Sequence, residues 1–159
     1  MVLQKITPFL WFDTEAEDAA LFYVSVFKNA SMGAVSHYPK EVPHVGGKVL
    51  VANFTIEGQN FSALNGGPIF KFTEAVSFSI SCDSQQEIDY YWNSLTADGG
   101  QESQCGWLKD KFGLSWQVVP SKLGYYMSGG TPEQSSRVMS AFMQMKKFVI
   151  ADLEKAFNQ

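Results

Sequence analysis

The chain contains two segments, about seventy residues apart, that follow the same order of residue types. Ile6–Asp13 is an apolar run followed by an amphipathic segment, and Val76–Asp83 is followed by a second amphipathic segment. A shift of 69 residues places the aromatic pair Phe22–Tyr23 on the pair Tyr91–Trp92. Because large side chains recur in the same order at a fixed spacing, the sequence predicts a tandem of two similar modules.

Each module is predicted to contain a strand, a helix and three further strands. In the first module these are Lys5–Phe12, a helix over Glu15–Phe27, Ser31–Tyr38, Lys48–Ile56 and Asn60–Leu64. In the second they are Ala75–Cys82, a helix over Gln85–Ala97, Gln101–Cys105, Trp107–Lys109 and Leu114–Val119. We expect Asp13 or Thr14 to cap the first helix and Asp83 or Ser84 to cap the second. Two more helices are predicted at the C-terminus, Pro132–Met145 and Ile150–Phe157.

Length and composition favour a single domain. The chain has 159 residues, of which 45% are apolar, and single domains usually have about 100–200 residues. We divide it into a first βαβββ module (residues 1–66), a second (residues 73–120) and a C-terminal helical extension (residues 121–159). The predicted fold class is α+β, with the tandem modules forming a curled mixed sheet and the helices lying outside it.

Charge and cysteine content exclude several classes of function. The net charge of −4 and the few, scattered basic residues argue against a nucleic-acid partner, because phosphate binding needs clustered Lys and Arg. No run of 18 apolar residues and no signal-like start is found, so we expect a cytoplasmic protein without a membrane partner. Two cysteines, Cys82 and Cys105, are too few for a disulfide framework and are expected to be reduced.

Alternation along the strands separates a helix-facing side from an open side. In Ala75–Cys82 the large residues Val76, Phe78 and Ile80 alternate with serines, and Lys48–Ile56 and Leu114–Val119 alternate similarly. A curled sheet would enclose a cavity lined by the open side. We therefore predict ligand-binding residues on the open faces and at the cavity edge: Gln117, Ser115, Ser77, Ser79, Asn53, Thr55, Ser62, Phe12, Trp107 and Cys105.

Three segments carry a family resemblance: Ile6–Phe12, Ala63–Pro68 and the long run Gln104–Pro120. With them the chain resembles the vicinal oxygen chelate superfamily, which includes glyoxalase I, extradiol dioxygenases and the bleomycin and fosfomycin resistance proteins. It is most similar to the PhnB-like branch, often labelled 3-demethylubiquinone-9 3-methyltransferase. The resemblance covers nearly the whole chain and implies a glyoxalase-like fold. It also implies a homodimer, with modules paired within one chain or exchanged between two.

The resemblance also implies which residues of this chain would have to bind a metal ion. Metal-dependent members of the superfamily hold a divalent ion with four side chains, and the corresponding places in this chain fall at Ile6, Ser62, Ala75 and Gln117. Only Gln117 is a good ligand, whereas divalent transition ions need several strong donors. We therefore predict no metal site and no cofactor.

The methyltransferase label is disfavoured by the sequence. Methyl transfer from S-adenosylmethionine commonly uses a glycine-rich loop between a strand and a helix. Here the first strand passes into its helix through Asp13-Thr14-Glu15, and neither Gly66-Gly67 nor Gly129-Gly130 has the required setting.

Two smaller groups of residues leave alternatives open. His37 and His44, with Glu41, are either metal ligands or exposed loop residues, and we favour the second reading. Cys105 is either a nucleophile or a structural thiol, and again we favour the second, because no activating base lies near it in sequence. Catalytic residues are not assigned.

Taken with the resemblance, these observations predict a PhnB-like, glyoxalase-fold protein that binds an unidentified small molecule without a conventional metal site. One alternative is a metal-free or unusually ligated lyase, isomerase or transferase, which includes the disfavoured methyltransferase. Another is a structural or regulatory dimer. Whether the chain is an enzyme stays open.

Overall fold

The computed structural model describes residues 4–159, and the chain divides into two compact units, Met1–Phe72 and Thr73–Gln159. Residues 1–3 of the predicted first module lie outside the described residues. Each unit has its own four-stranded mixed sheet, so the curled sheet that we predicted is present as two sheets. The α+β class and the repeated βαβββ order are confirmed.

The first unit forms a sheet in the order β1-β4-β3-β2. Its elements are β1 (Phe9–Phe12), α1 (Ala16–Val26), β2 (Ala30–His37), β3 (Val49–Ile56) and β4 (Gln59–Asn65). Strands β1 and β4 are parallel, whereas the other neighbours are antiparallel. Strand β1 is shorter than predicted, since it begins at Phe9 rather than Lys5.

The core of the first unit lies between α1 and one face of this sheet. Helix α1 buries small residues together with Tyr23, whose ring stacks 5.8 Å from that of Phe54 on β3. Phe54 in turn stacks on Phe61 of β4 at 5.3 Å. Ala52, Phe54 and Ile56 are buried, as the predicted alternation of β3 requires.

The start of α1 is not capped by Asp13 or Thr14, and that prediction is wrong. Glu15 occupies the N-cap position without a capping side chain. Instead the Oδ1 atom of Asn65, at the end of β4, accepts a hydrogen bond from the backbone N–H of Ala16 at 2.8 Å. A partner 49 residues away replaces the local cap, so no local sequence pattern could have revealed it.

The Gly66-Gly67 pair after β4 fits against Trp11. A Cβ atom added to Gly66 would lie 2.3 Å from Cζ2 of Trp11, so only glycine allows this approach. The indole Nε1–H of Trp11 donates to the carbonyl oxygen of Gly67 at 2.8 Å. The segment that follows β4 therefore begins as a packed turn of the first unit.

The second unit forms a sheet in the order β5-β8-β7-β6. Its elements are β5 (Ser77–Cys82), α2 (Gln85–Thr96), β6 (Gln101–Glu102), β7 (Trp107–Lys109), β8 (Ser115–Pro120), α3 (Leu123–Ser128), α4 (Pro132–Phe142) and α5 (Ile150–Asn158). A short 3₁₀ turn, Ala97–Gly99, follows α2. The cap of α2 is Ser84, one of the two predicted candidates, which accepts from the N–H of Glu87.

Strand β6 is much shorter than predicted because the chain turns away from the sheet before Cys105. Cys105 has a left-handed φ of 57°, and its N–H donates to the carbonyl of Met145 at 2.7 Å. The N–H of Gly106 likewise donates to the carbonyl oxygen of Lys146 at 2.7 Å. These backbone bonds tie the loop to the C-terminal segment instead of extending the strand. Val76, predicted to face the helix, precedes β5 and is exposed.

The C-terminal extension packs as three helices, of which α3 was not predicted. Helix α4 begins with a capping box in which Thr131 and Gln134 bond each other's backbone N–H groups, and it ends at Phe142, earlier than predicted. Phe148, between α4 and α5, is fully buried. No helix within residues 4–159 is long and apolar enough to cross a membrane.

Candidate functional site

The face of the second sheet opposite α2 carries a row of polar side chains. Strand register pairs Gln101 with Lys109, Lys109 with Ser115, and Ser115 with Ser77, one residue from each of the four strands. Directly paired residues project to the same face of a sheet. Ser77 and Ser115 were predicted as site residues, whereas Gln101 and Lys109 were not.

A second row lies next to the first. Trp107 pairs with Gln117, and Gln117 pairs with Ser79. The Nε2 atom of Gln117 donates to Oγ of Ser77 at 2.9 Å and so links the two rows. The structure thus brings together five predicted site residues on one sheet face: Ser77, Ser79, Trp107, Ser115 and Gln117.

A cavity of about 530 Å³ opens at the β6–β7 end of this face. Glu74, Gln101, Cys105, Trp107, Lys109 and Ser115 are among its lining residues. Ligand pockets usually have volumes of about 300–1,000 Å³. The cavity therefore has room for a compact metabolite, and its walls combine an indole ring with amide, hydroxyl and charged groups.

Ser115 differs from the other residues of the cavity in that its hydroxyl group is buried without a hydrogen-bond partner within the described residues. Its side chain is completely buried, and its Oγ atom has no hydrogen-bond partner within the described part of the chain. A buried hydroxyl without a partner costs about 1–3 kcal/mol, and most buried polar atoms avoid that cost. Ser115 lies on the cavity side of β8, since the helix-facing residues of that strand are Trp116 and Val118.

An ion pair lies beside Ser115. The Nζ atom of Lys109 is 2.5 Å from Oε1 of Glu74, and 63% of the Glu74 side chain remains exposed. The hydrogen bond from Lys109 lowers the pKa of Glu74, so the Glu74 carboxyl group is ionised at neutral pH. The sequence gives no local sign of this pair, because the two residues are 35 positions apart along the chain.

The two thiols have different environments. Cys105 lines the cavity, is half-buried and lies 3.7 Å through Sγ from the carbonyl oxygen of Phe142. Cys82 is buried under α2, and burial raises the pKa of its thiol to about 12.

The remaining predicted site residues belong to the first unit. Ser62 donates to Oδ1 of Asn53 at 2.7 Å, and Thr55 donates to Oδ1 of Asn60 at 2.9 Å, so these polar groups satisfy one another across β3 and β4. Phe12 is buried and its ring meets that of Phe72 edge-on at 5.2 Å. Phe12 therefore contributes to the core of this unit rather than to an open sheet face.

The first unit also has a cavity, of about 580 Å³, that sequence analysis did not identify. Acidic residues from the start of α1 line it together with His37, Lys48 and Asn65. His37 and His44 are both exposed, in agreement with the favoured reading of the sequence. The Asn65 side chain is already engaged, with Ala16 through Oδ1 and with Val49 through Nδ2.

The donors at the four family positions do not fit a divalent metal ion. Ile6 and Ala75 are exposed and precede β1 and β5, and neither has a ligating side chain. Ser62 and Gln117 donate to neighbouring side chains. Over residues 4–159, no group of three or more His, Cys, Asp or Glu side chains has an arrangement that could hold a metal ion.

Comparison with known proteins identifies a family model and solved structures to which this chain is similar. The family model described as 3-demethylubiquinone-9 3-methyltransferase matches residues 4–119. A PhnB protein from Bacillus cereus, which carries the same methyltransferase description, is 36% identical, with a TM-score of 0.67 over 74% of this chain and 99% of its own.

Two more distant structures show the fold alone. Protein PA1353 from Pseudomonas aeruginosa is 20% identical, with a TM-score of 0.56 over 74% of this chain and 98% of its own. The fosfomycin resistance protein FosX from Listeria monocytogenes, solved with Mn(II) and sulfate, is 16% identical, with a TM-score of 0.50 over 85% of this chain and 96% of its own. The search of curated proteins found no match.

Proposed function

Because the chain belongs to the 3-demethylubiquinone-9 3-methyltransferase family, the PhnB-like branch of the vicinal oxygen chelate superfamily, we propose that it is a small-molecule-binding protein. The ligand binds on the open face of the second sheet, in the cavity that Trp107, Lys109 and Ser115 line. Binding there needs no metal centre.

The buried Ser115 hydroxyl carries this proposal. It lies at a cavity of suitable size and lacks the hydrogen-bond partner that a buried polar atom normally has. A ligand with a polar group at this point would supply the partner and recover the lost hydrogen bond. Trp107, in the neighbouring row, offers a flat apolar surface for the rest of the ligand. A compact, partly apolar molecule satisfies both features.

The chemistry of the site supports binding without a metal ion or methyl donor. Its groups are hydroxyls, amides, the thiol of Cys105, an ammonium and two carboxylates, one of which the ammonium already engages. The segment between β1 and α1 is Asp13-Thr14-Glu15, which has no glycine to admit a nucleotide. The methyltransferase description belongs to the family model, and we do not extend that activity to this chain.

Native mass spectrometry of gently purified protein tests the proposal. We expect a fraction of the chains to retain a small organic molecule, and we expect the Ser115→Ala variant to retain less of it. Elemental analysis of the same sample should find well under one divalent ion per chain. A stoichiometric metal ion, or a retained molecule whose occupancy is unaffected by changes at Ser115, Lys109 and Trp107, would contradict the proposal.

We also propose that the protein is a cytoplasmic homodimer. Edge strands expose unpaired backbone groups, and pairing between chains is one way to cover them. Light scattering after size exclusion should then give about twice the chain mass of 17.7 kDa. Cell fractionation should place the protein with cytoplasmic markers. A monomeric mass would contradict the proposed dimer, and a different compartment would contradict the proposed location.

A further inference from the structure

We propose that the ligand of this cavity carries a carboxylate or another compact anionic group, which takes the place of Glu74 at Lys109. The inference rests on the proposed binding function and narrows it to one class of ligand. In this account the Glu74 carboxylate closes the site when no ligand is bound, and the ligand's own anion exchanges with it.

The position of the ion pair follows from the strand order. Lys109 is on β7 and Glu74 comes three residues before β5, while β8 lies between those two strands. The contact between Lys109 and Glu74 therefore crosses the start of β8, where Ser115 is the first residue. The ion pair thus lies at the end of β8 at which the fully buried Ser115 lines the cavity.

An incoming anion would satisfy more groups than Glu74 does. Glu74 reaches Lys109 but leaves the Ser115 hydroxyl without an acceptor. Lys109 and Ser115 are directly paired across β7 and β8, and the Cβ atoms of such pairs are about 4.5–5.5 Å apart. A carboxylate has two acceptor oxygens, so one group can accept from the ammonium and from the hydroxyl together.

Releasing Glu74 costs little. Its side chain is mostly exposed and that of Lys109 is 32% exposed, so water screens the ion pair and its contribution to stability is small. The other carboxylate that lines the cavity, Glu102, is engaged elsewhere, since it accepts from Nε1 of Trp92 at 2.8 Å and lies 3.7 Å from Nζ of Lys146. Lys109 is therefore the cation at this end of the face that becomes available once Glu74 moves away.

Trp107 sets where the rest of the ligand lies. It is two residues from Lys109 on β7, so the two side chains share a face at a spacing of about 7 Å. A ligand with an anionic group at Lys109 and Ser115 would place an apolar body of about one ring over Trp107. Benzoate and benzamide have this size and differ at the polar end, in charge and in hydrogen-bonding groups.

Calorimetric titration of both probes separates the possibilities. For the wild type we expect benzoate to bind about tenfold more tightly than benzamide, because charged hydrogen bonds are the stronger ones. Glu74→Gln should strengthen benzoate binding by about two- to fivefold and leave benzamide unchanged, since the competing carboxylate is gone. Lys109→Met should reduce benzoate affinity to that of benzamide. Glu133→Gln, an exposed carboxylate on α4, is the matched control and should change neither.

The failures of the two proposals can be told apart. Equal binding of benzoate and benzamide in every variant would overturn the anionic ligand and leave small-molecule binding intact. If neither probe binds to the wild type or to Glu74→Gln, the proposal of an anionic ligand is overturned as well. If native mass spectrometry also finds no retained molecule, the binding function fails with it. Thermal unfolding of each variant shows whether it is folded. If Lys109→Met does not fold, the comparison of Glu74→Gln with the wild type still decides the test.

Discussion

The carboxylate of Asp110 accepts a hydrogen bond from the indole Nε1–H of Trp116 at 2.8 Å, inside the core of the second unit. The other oxygen of Asp110 accepts from the backbone N–H groups of Phe112 and Leu114, at 2.9 and 3.1 Å. Asp110 is buried, and the turn that joins β7 to β8 is built around its carboxyl group. This arrangement holds β8, and with it Ser115 and Gln117, in register.

Replacing Asp110 should therefore destabilise the chain strongly. Asp110→Ala leaves three donors without their acceptor, and we expect a loss of about 2–4 kcal/mol in the free energy of unfolding. Urea denaturation measures the loss. Asp83→Ala, at an exposed carboxylate before α2, is the control and should change stability by less than about 0.5 kcal/mol. A change at Asp110 as small as that of the control would show that the network contributes nothing.

Asn65 gives a second stability test, in the first unit. Asn65→Ala removes the acceptor for the N–H of Ala16 and the donor to the carbonyl of Val49. Loss of a helix cap typically costs about 1 kcal/mol, so with the second bond we expect a loss of about 1–2 kcal/mol. Asn93→Ala, at an exposed position in α2, is the comparison and should be close to neutral. Equal effects of the two changes would refute the capping role.

Ser115 is predicted to behave in the opposite way from an ordinary buried serine. Ser115→Ala removes a hydroxyl that has no partner within residues 4–159, so the free energy of unfolding should stay unchanged or rise by up to about 2 kcal/mol. Ser62→Ala, also buried but bonded to Asn53, should instead lower it by about 1 kcal/mol. Thermal and urea unfolding of the two variants decide this. A loss above about 1 kcal/mol at Ser115 would mean that its hydroxyl stabilises the unliganded protein.

The two thiols should react very differently with a disulfide reagent such as dithionitrobenzoate. At pH 8 we expect Cys105 to be labelled and Cys82 to stay unreactive in the folded protein, because burial raises the pKa of Cys82 to about 12. The Cys105→Ser variant should then show no fast-reacting thiol, and denaturant should expose one. Rapid labelling of Cys82 in folded Cys105→Ser would contradict the structure.

The same raised pKa predicts how stability depends on pH. An unfolded thiol ionises near pH 8.5, whereas the folded Cys82 thiol keeps its proton until about pH 12. The unfolded state therefore releases its proton first, and this contribution to folding is complete below about pH 8.5 and declines between the two values. Cys82→Ala should flatten the decline in the free energy of unfolding over that range. An unchanged slope would show that another group causes it.

Features that depend on local sequence were predictable, and features that depend on distant partners were not. The repeat, both module helices and β7 followed from hydrophobic periodicity, and the open face of the second sheet followed from alternation. The Asn65 cap and the Lys109–Glu74 pair join residues 49 and 35 positions apart, so no local sequence pattern predicts them. The role of Asp110 could not be predicted either, because its buried hydrogen bond depends on how Trp116 packs. Ser115 was assigned to the correct face, but its complete burial required the structure.

A nuclear magnetic resonance titration of the ¹⁵N-labelled chain with benzoate and with benzamide tests the proposed binding site residue by residue. We expect saturable shifts at the indole of Trp107, the side-chain amide of Gln117 and the backbone amides of Lys109 and Ser115, with larger shifts for benzoate. Signals of α5, such as Leu153, should stay in place. If both probes shift only the residues around the first-unit cavity, the proposed binding site is wrong. If neither probe perturbs the open face of the second sheet, the anionic ligand is contradicted.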